Sequence, residues 1–318
     1  AVLLADLASE LGRKVTLLTL VTFACYLPFV DNTTTGMETP LFILGMTGSL
    51  WLLRREHAAW ASLVVGLLVL VRPEGIIWAL CLAAGACVAG RRPRPSWFLP
   101  ALAVVGAWMA ISMPYYGSAI PHSVLSKCGW LVPFGNRPIL ARFSNAFVSL
   151  ALLDPPAALS DGGPVGTLIN AAGPVSAALF CIGAVLLFRR KRLAFSLPLL
   201  FLGYLAFYLV AKGRLDFSWY GIPSGLAYWA TFWVGLAAVV GRMIQVGRRE
   251  RLARLGIVAL IVFLTSTSIW CWRTARLRYY RSIVTSYEAA GKLIDETASA
   301  DASVLIDEAG MMGYAAKR

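Results

Sequence analysis

Apolar residues run along this chain in long blocks separated by short polar connections. The blocks cover approximately residues 15–30, 41–53, 58–71, 76–90, 97–116, 174–188, 193–212, 226–246 and 255–272. A helix needs roughly 20 apolar residues to cross a bilayer, and the blocks approach that unit. They predict nine spans, with residues 1–11 reading as the last turns of a further, partial one. The expected fold is all-α, a polytopic transmembrane helix bundle.

The connections sort by charge. Arg13/Lys14, Arg54/Arg55, Arg91/Arg92/Arg94, Arg189/Arg190/Lys191/Arg192 and Arg248/Arg249/Arg251/Arg254 fall at alternate connections. Threading nine spans puts all these clusters on one side, which the positive-inside rule makes cytoplasmic. The opposite side receives 31–40, 72–75, 117–173, 213–225 and the tail from 273. The expected organisation is therefore a membrane bundle over 1–272 with an outer loop at 117–173. Residues 273–318 are expected to begin a small extracytoplasmic α/β domain. Within them 286–298 alternates apolar and charged residues at helical spacing, and Ser303–Ile306 reads as a strand.

Two spans are short. Residues 58–71 and 76–90 each cover ~21–23 Å at 1.5 Å per residue, against ~30 Å of hydrocarbon. Their connection, Arg72-Pro73-Glu74-Gly75, would lie below the outer boundary. Charges and broken backbone at such depth are tolerated beside a cavity or inside protein. The sequence therefore predicts a recess opening to the outer face. In the long outer connection, Ile139, Leu140, Phe143, Phe147 and Leu150 recur at helical spacing. They fit a surface-lying helix or ordinary packing beneath a loop. Asp154-Pro155-Pro156 and Asp161-Gly162-Gly163-Pro164 then read as breakers.

Composition agrees. Of 318 residues, 58% are hydrophobic and 14% charged, with a mean hydropathy of +0.70. A soluble domain is usually ~45–50% apolar and ~25% charged, so a soluble enzyme, a disordered chain and a disulfide scaffold do not fit. The net charge of +13 lies in clusters between apolar runs, so nucleic acid is not expected as a partner. Six cysteines form no CxxC, and all but Cys128 lie in apolar runs. The chain begins at Ala1 with Asp6 and Glu10 close behind, unlike a signal peptide, and reads as an excerpt from something longer.

No phosphate-cradling GxxxxGK[ST] loop, dinucleotide GxGxxG turn or HExxH zinc pair occurs, and no cofactor or metal site is evident. Unusual polar residues gather instead at the outer ends of spans. Each has a plain reading beside a functional one. Glu38, with Asp31, fits a solvated loop or a site. Arg72 and Glu74 fit a structural ion pair or a site at depth. Tyr115 and Tyr116 fit an aromatic belt, Lys127 a headgroup anchor, and Asp216 and Tyr220 a simple turn. His122 alone carries no weight.

Together these residues resemble the bacterial GT-C membrane glycosyltransferases of the arabinofuranosyltransferase and mannosyltransferase type. Thr35-Gly36-Met37-Glu38-Thr39-Pro40-Leu41 is similar to their Ser-Gly-Leu-Glu-Thr-Pro-Leu segment, and Arg72-Pro73-Glu74-Gly75 to their Arg-Pro-Glu-Gly turn. Tyr115-Tyr116-Gly117 through Pro121 to Ser126-Lys127 resembles their Tyr-Tyr-Gly…Pro-Asn-Thr…Ala-Lys segment, with His122 where Asn is common. Asp216 to Pro223 is similar to a degenerate Trp-Tyr…Pro motif, and Val304–Glu308 with Gly313-Tyr314 to the opening of their outer domain.

The resemblance implies transfer of a sugar from a polyprenyl-phosphate carrier to a hydroxyl of a cell-envelope glycan, lipid or protein, at the outer face of the cell membrane. A carboxylate would take the acceptor proton and fixed cations would meet the leaving phosphate. Arg72 and Lys127 are the implied cations. Glu38 and Glu74 would orient Arg72 or bind sugar hydroxyls, and Tyr115, Tyr116 and Tyr220 would pack on sugar or isoprenoid. In that family the general base lies in the first outer loop, so it is expected upstream of Ala1 and these residues alone are expected to be inactive. Two other classes fit the pattern of spans: a lipid-linked glycan transporter or flippase, and a non-catalytic assembly subunit.

Overall fold

The computed structural model describes residues 13–24, 38–117, 164–210 and 218–246, with helical stretches at 285–286, 288–294 and 296–297. The chain divides into two compact units, residues 1–265 and 266–318. Every regular element among the described residues is helical, as expected. The first unit contains α1 (Arg13–Ala24), α2 (Thr39–Arg54), α3 (Ala58–Val71), α4 (Gly75–Val88), α5 (Leu99–Tyr116), α6 (Pro164–Arg189), α7 (Ser196–Val210) and α8 (Ser218–Val246). Short 3-10 turns, Pro95–Trp97 and Leu193–Phe195, lead into α5 and α7. The apolar block at 255–272 and the strand expected at Ser303–Ile306 lie outside the described residues.

Two expectations need correction. The connection expected at 117–173 is shorter, because α6 already begins at Pro164. The connection expected at 213–225 is shorter too, because α8 begins at Ser218 and carries Tyr220 within it. The first error came from reading Asp161-Gly162-Gly163-Pro164 as breakers. Proline costs nothing in the first turn of a helix, where its missing N–H would have no partner. Pro174 and Pro223 are inside helices, as proline can be where a helix packs against others. Beside Pro223, the Ser224 hydroxyl donates to the Gly221 carbonyl at 2.7 Å.

Glycines set the helix crossings. A Cβ on Gly45 would strike Leu68, one on Gly66 the backbone of Ala101, and one on Gly203 the side chain of Ile77. At the α6–α8 crossing, a Cβ on Gly183 would fall on the Thr231 carbonyl oxygen, and one on Gly235 on that of Leu179. Ser176 hydrogen-bonds Tyr228, and seven residues further along both helices Gly183 meets Gly235, so α6 and α8 run parallel. Close approach through small residues is how helices associate where lipid supplies no hydrophobic drive. Phe180 stacks on Tyr228 beside this crossing and Phe201 packs tilted against both, with centroids 5.0–5.1 Å apart.

Around a buried apolar core the bundle also exposes large apolar side chains. Trp60, Leu80, Leu102, Ile111 and Val175 are each more than 60% exposed, whereas Thr39, Ser49, Ser196, Ser224 and Thr231 are completely buried. Between α2 and α4, the buried Trp78 indole donates to the Ser49 hydroxyl at 2.8 Å. One helical segment among the described residues, Gly221–Arg242 within α8, is long and apolar enough to cross a membrane. Five more, including α3 and α4, are apolar but shorter.

Candidate functional site

The turn between α3 and α4 is built by its sequence. Proline disfavours helical backbone in the residue before it, so Arg72 is extended (φ −151°, ψ 131°) and α3 stops at Val71. The Arg72 N–H still reaches back to the Leu68 carbonyl at 2.8 Å. Gly75 then starts α4 against the backbone of α3; a Cβ there would lie 2.7 Å from the Val69 nitrogen. Only glycine fits that approach without the turn shifting.

This geometry turns the Arg72 side chain into the bundle, where it is 2% exposed. One terminal nitrogen donates to the Thr39 hydroxyl at 3.2 Å, and the other pairs with Glu74 Oε1 at 3.4 Å. Its guanidinium carbon lies 5.6 Å from the centroid of the Phe42 ring, within cation–π range. Burial disfavours the cation, while the Glu74 and Glu38 carboxylates favour it electrostatically. Arginine does not give up its proton in proteins, so the charge stays. Glu74 is itself nine-tenths buried. Its second oxygen, Oε2, is buried and has no hydrogen-bond partner among the described residues. A buried carboxylate oxygen in that state costs free energy, which a hydroxyl donor would recover.

Glu38 caps the start of α2 through its backbone, its carbonyl accepting the Phe42 N–H at 2.9 Å. Thus α2 and α4 both begin beside Arg72, and the positive ends of their backbone dipoles favour an anion there. From Leu41 and Val71, the immediate neighbours of this cluster, an apolar groove of about 430 Å³ runs between α2 and α3. Leu44, Gly45, Val64 and Leu67 line it.

The structure brings together Glu38, Arg72 and Glu74 among the residues singled out from sequence. Tyr115 ends α5 and is 78% exposed. Tyr116 is in α5 and Tyr220 in α8, with side chains outside the described residues. His122, Lys127 and Asp216 lie outside them altogether. Sequence reasoning missed Thr39 as a member of the cluster. Thr39 carried a signal, since it follows Glu38 directly. No group of metal-ligating side chains occurs among the described residues. No family model, curated protein or solved structure matches the chain.

Proposed function

We propose that this chain belongs to an integral-membrane glycosyltransferase that moves a sugar from a polyprenyl-phosphate donor to a hydroxyl acceptor at the outer face of the cell membrane. The observation that carries the reading is the buried Arg72–Glu74 pair at one end of a largely apolar bundle. A fixed cation in a water-poor site stabilises charge on a leaving phosphate far better than one in water. Arg72 is held for that task by Thr39 and Glu74. Glu74 Oε2 and the Glu38 carboxylate then accept hydrogen bonds from sugar hydroxyls. The α2–α3 groove takes the first isoprene units of the carrier.

The outward apolar faces support membrane embedding, because a soluble monomer rarely exposes contiguous apolar patches larger than ~300–600 Å². In this reading, because α3 and α4 are short, Arg72 and Glu74 lie below the outer boundary, within reach of a lipid phosphate. In this reading the chain crosses the membrane nine times, its basic connections face the cytoplasm, and the tail from 273 onward is extracytoplasmic.

The test is an assay of the full-length protein in nanodiscs with a panel of polyprenyl-phosphate pentoses and hexoses. The expected result is acceptor-dependent release of polyprenyl phosphate from at least one donor. Movement of the intact donor between leaflets without release would assign the site to a flippase instead, and neither event would assign the chain to an assembly subunit.

A further inference from the structure

A second polar feature lies at the opposite end of the bundle from Arg72. Helices α2, α4 and α6 end there in the same way, each with one residue in left-handed conformation: Glu56 (φ 66°), Gly90 (φ 76°) and Lys191 (φ 50°). In each case the following N–H reaches back five residues, from His57 to Leu52, Arg91 to Ala86 and Arg192 to Leu187, at 2.9–3.0 Å. This is the Schellman closure, which satisfies the last carbonyls of a helix internally. The corners are also adjacent. Arg91 donates to the carbonyls of Leu53 and, at 3.1 Å, Arg54. A Cβ on Gly85, in the last turns of α4, would lie 3.0 Å from Leu193 and Ser196, just after the third corner.

The helix ends are therefore closed by backbone and by Arg91, and the remaining cations are directed outward. Arg55, Arg92, Arg94, Arg190 and Lys191 are exposed. Against them stands Glu56, the one acid at these corners. Beside the cations is an apolar rim: Trp60, Phe98, Leu99 and Phe188 are 43–62% exposed. A soluble phosphate or a nucleic acid has no use for that rim. An anion that carries its own apolar chains matches both parts.

We infer that this end of the bundle is a binding surface for anionic phospholipids, with Arg92, Arg94, Arg190 and Lys191 meeting the headgroup phosphates and Trp60, Phe98 and Phe188 flanking the acyl chains. The inference rests on membrane embedding and is independent of the transferase reading. Each cation engaged near a charged bilayer surface strengthens association about threefold to fivefold.

The experiment is spin-label measurement of lipid selectivity in the first lipid shell of the full-length protein, comparing phosphatidylglycerol with phosphatidylcholine. The wild type is expected to prefer phosphatidylglycerol at least about threefold at low salt. The preference should approach unity in Arg92→Gln/Arg94→Gln/Arg190→Gln/Lys191→Gln. It should also collapse for the wild type near 1 M salt, where the screening length is about 3 Å. The salt arm needs no variant to fold. Arg72→Met/Glu74→Leu should leave the ratio unchanged, which separates this surface from the site at the other end. A wild-type ratio near one, a ratio unaffected by the four substitutions in a folded variant, or displacement of phosphatidylglycerol by a single-stranded oligonucleotide would overturn the inference.

Discussion

Replacing Arg72 and Glu74 together, by Met and Leu, is expected to leave the protein folded and to lower transfer by about 10²-fold or more. Either change alone should be severely destabilising. Arg72→Met leaves the Glu74 carboxylate buried with no cation beside it, and Glu74→Leu leaves the cation beside Phe42 and Thr39 without that carboxylate. Breaking a buried pair by removing one partner costs ~3–5 kcal/mol. Removing both charges and keeping the volume is often neutral, because the desolvation penalty of the pair goes with them. Thermal unfolding in detergent should therefore rank the double variant above both single ones and close to wild type. The transfer assay should not follow that order. If Arg72 and Glu74 only held the α3–α4 turn together, a double variant as stable as wild type would also be as active.

The second large effect is expected at the α6–α8 crossing. Gly183→Val and Gly235→Val each place side-chain atoms where the facing helix has a carbonyl oxygen. Backbone cannot rotate away as a side chain can, so the helices must separate along the whole contact. Overpacking a well-filled core costs ~1–3 kcal/mol, and this site belongs at or above the top of that range. Separation would also strip Tyr228 from Ser176 and unstack Phe180 from Tyr228. Gly106→Ala and Gly241→Ala are the controls. Nothing lies within 4 Å of a Cβ at either position, and alanine is the better helix former by ~1 kcal/mol. Those two variants should unfold at or above the wild-type temperature, while the two valine variants fall well below it.

Much of the fold was legible because span patterning is a strong signal. Every apolar block before 255 contains a helix, and the Arg72-Pro73-Glu74-Gly75 turn falls where the proline rule puts it. The start of α6 was misread because a proline in the first turn of a helix is written like a loop. The cluster was legible in part for a related reason. Arg72 and Glu74 stand out as charges inside a short apolar hairpin, so depth alone drew notice to them. Thr39 does not, since a hydroxyl at a helix start carries no sign of the partner it will meet from another helix. The glycine contacts were likewise hidden. A glycine that allows two backbones to touch reads the same in sequence as one that touches nothing, and Gly183 and Gly106 differ only in space.

The central claim is that Arg72 meets the phosphate of a lipid-linked sugar. Solid-state NMR dipolar recoupling between ³¹P of bound polyprenyl phosphate and ¹⁵N of the arginine side chains tests it directly, with the full-length protein in bilayers. A charge-assisted contact of ~2.7–2.9 Å between guanidinium nitrogen and phosphate oxygen puts phosphorus and nitrogen within about 4 Å. The account predicts strong dephasing in wild type that disappears in Arg72→Met/Glu74→Leu while the protein stays folded. Dephasing of equal strength in the wild type and the double variant would place the phosphate on another arginine and contradict the account.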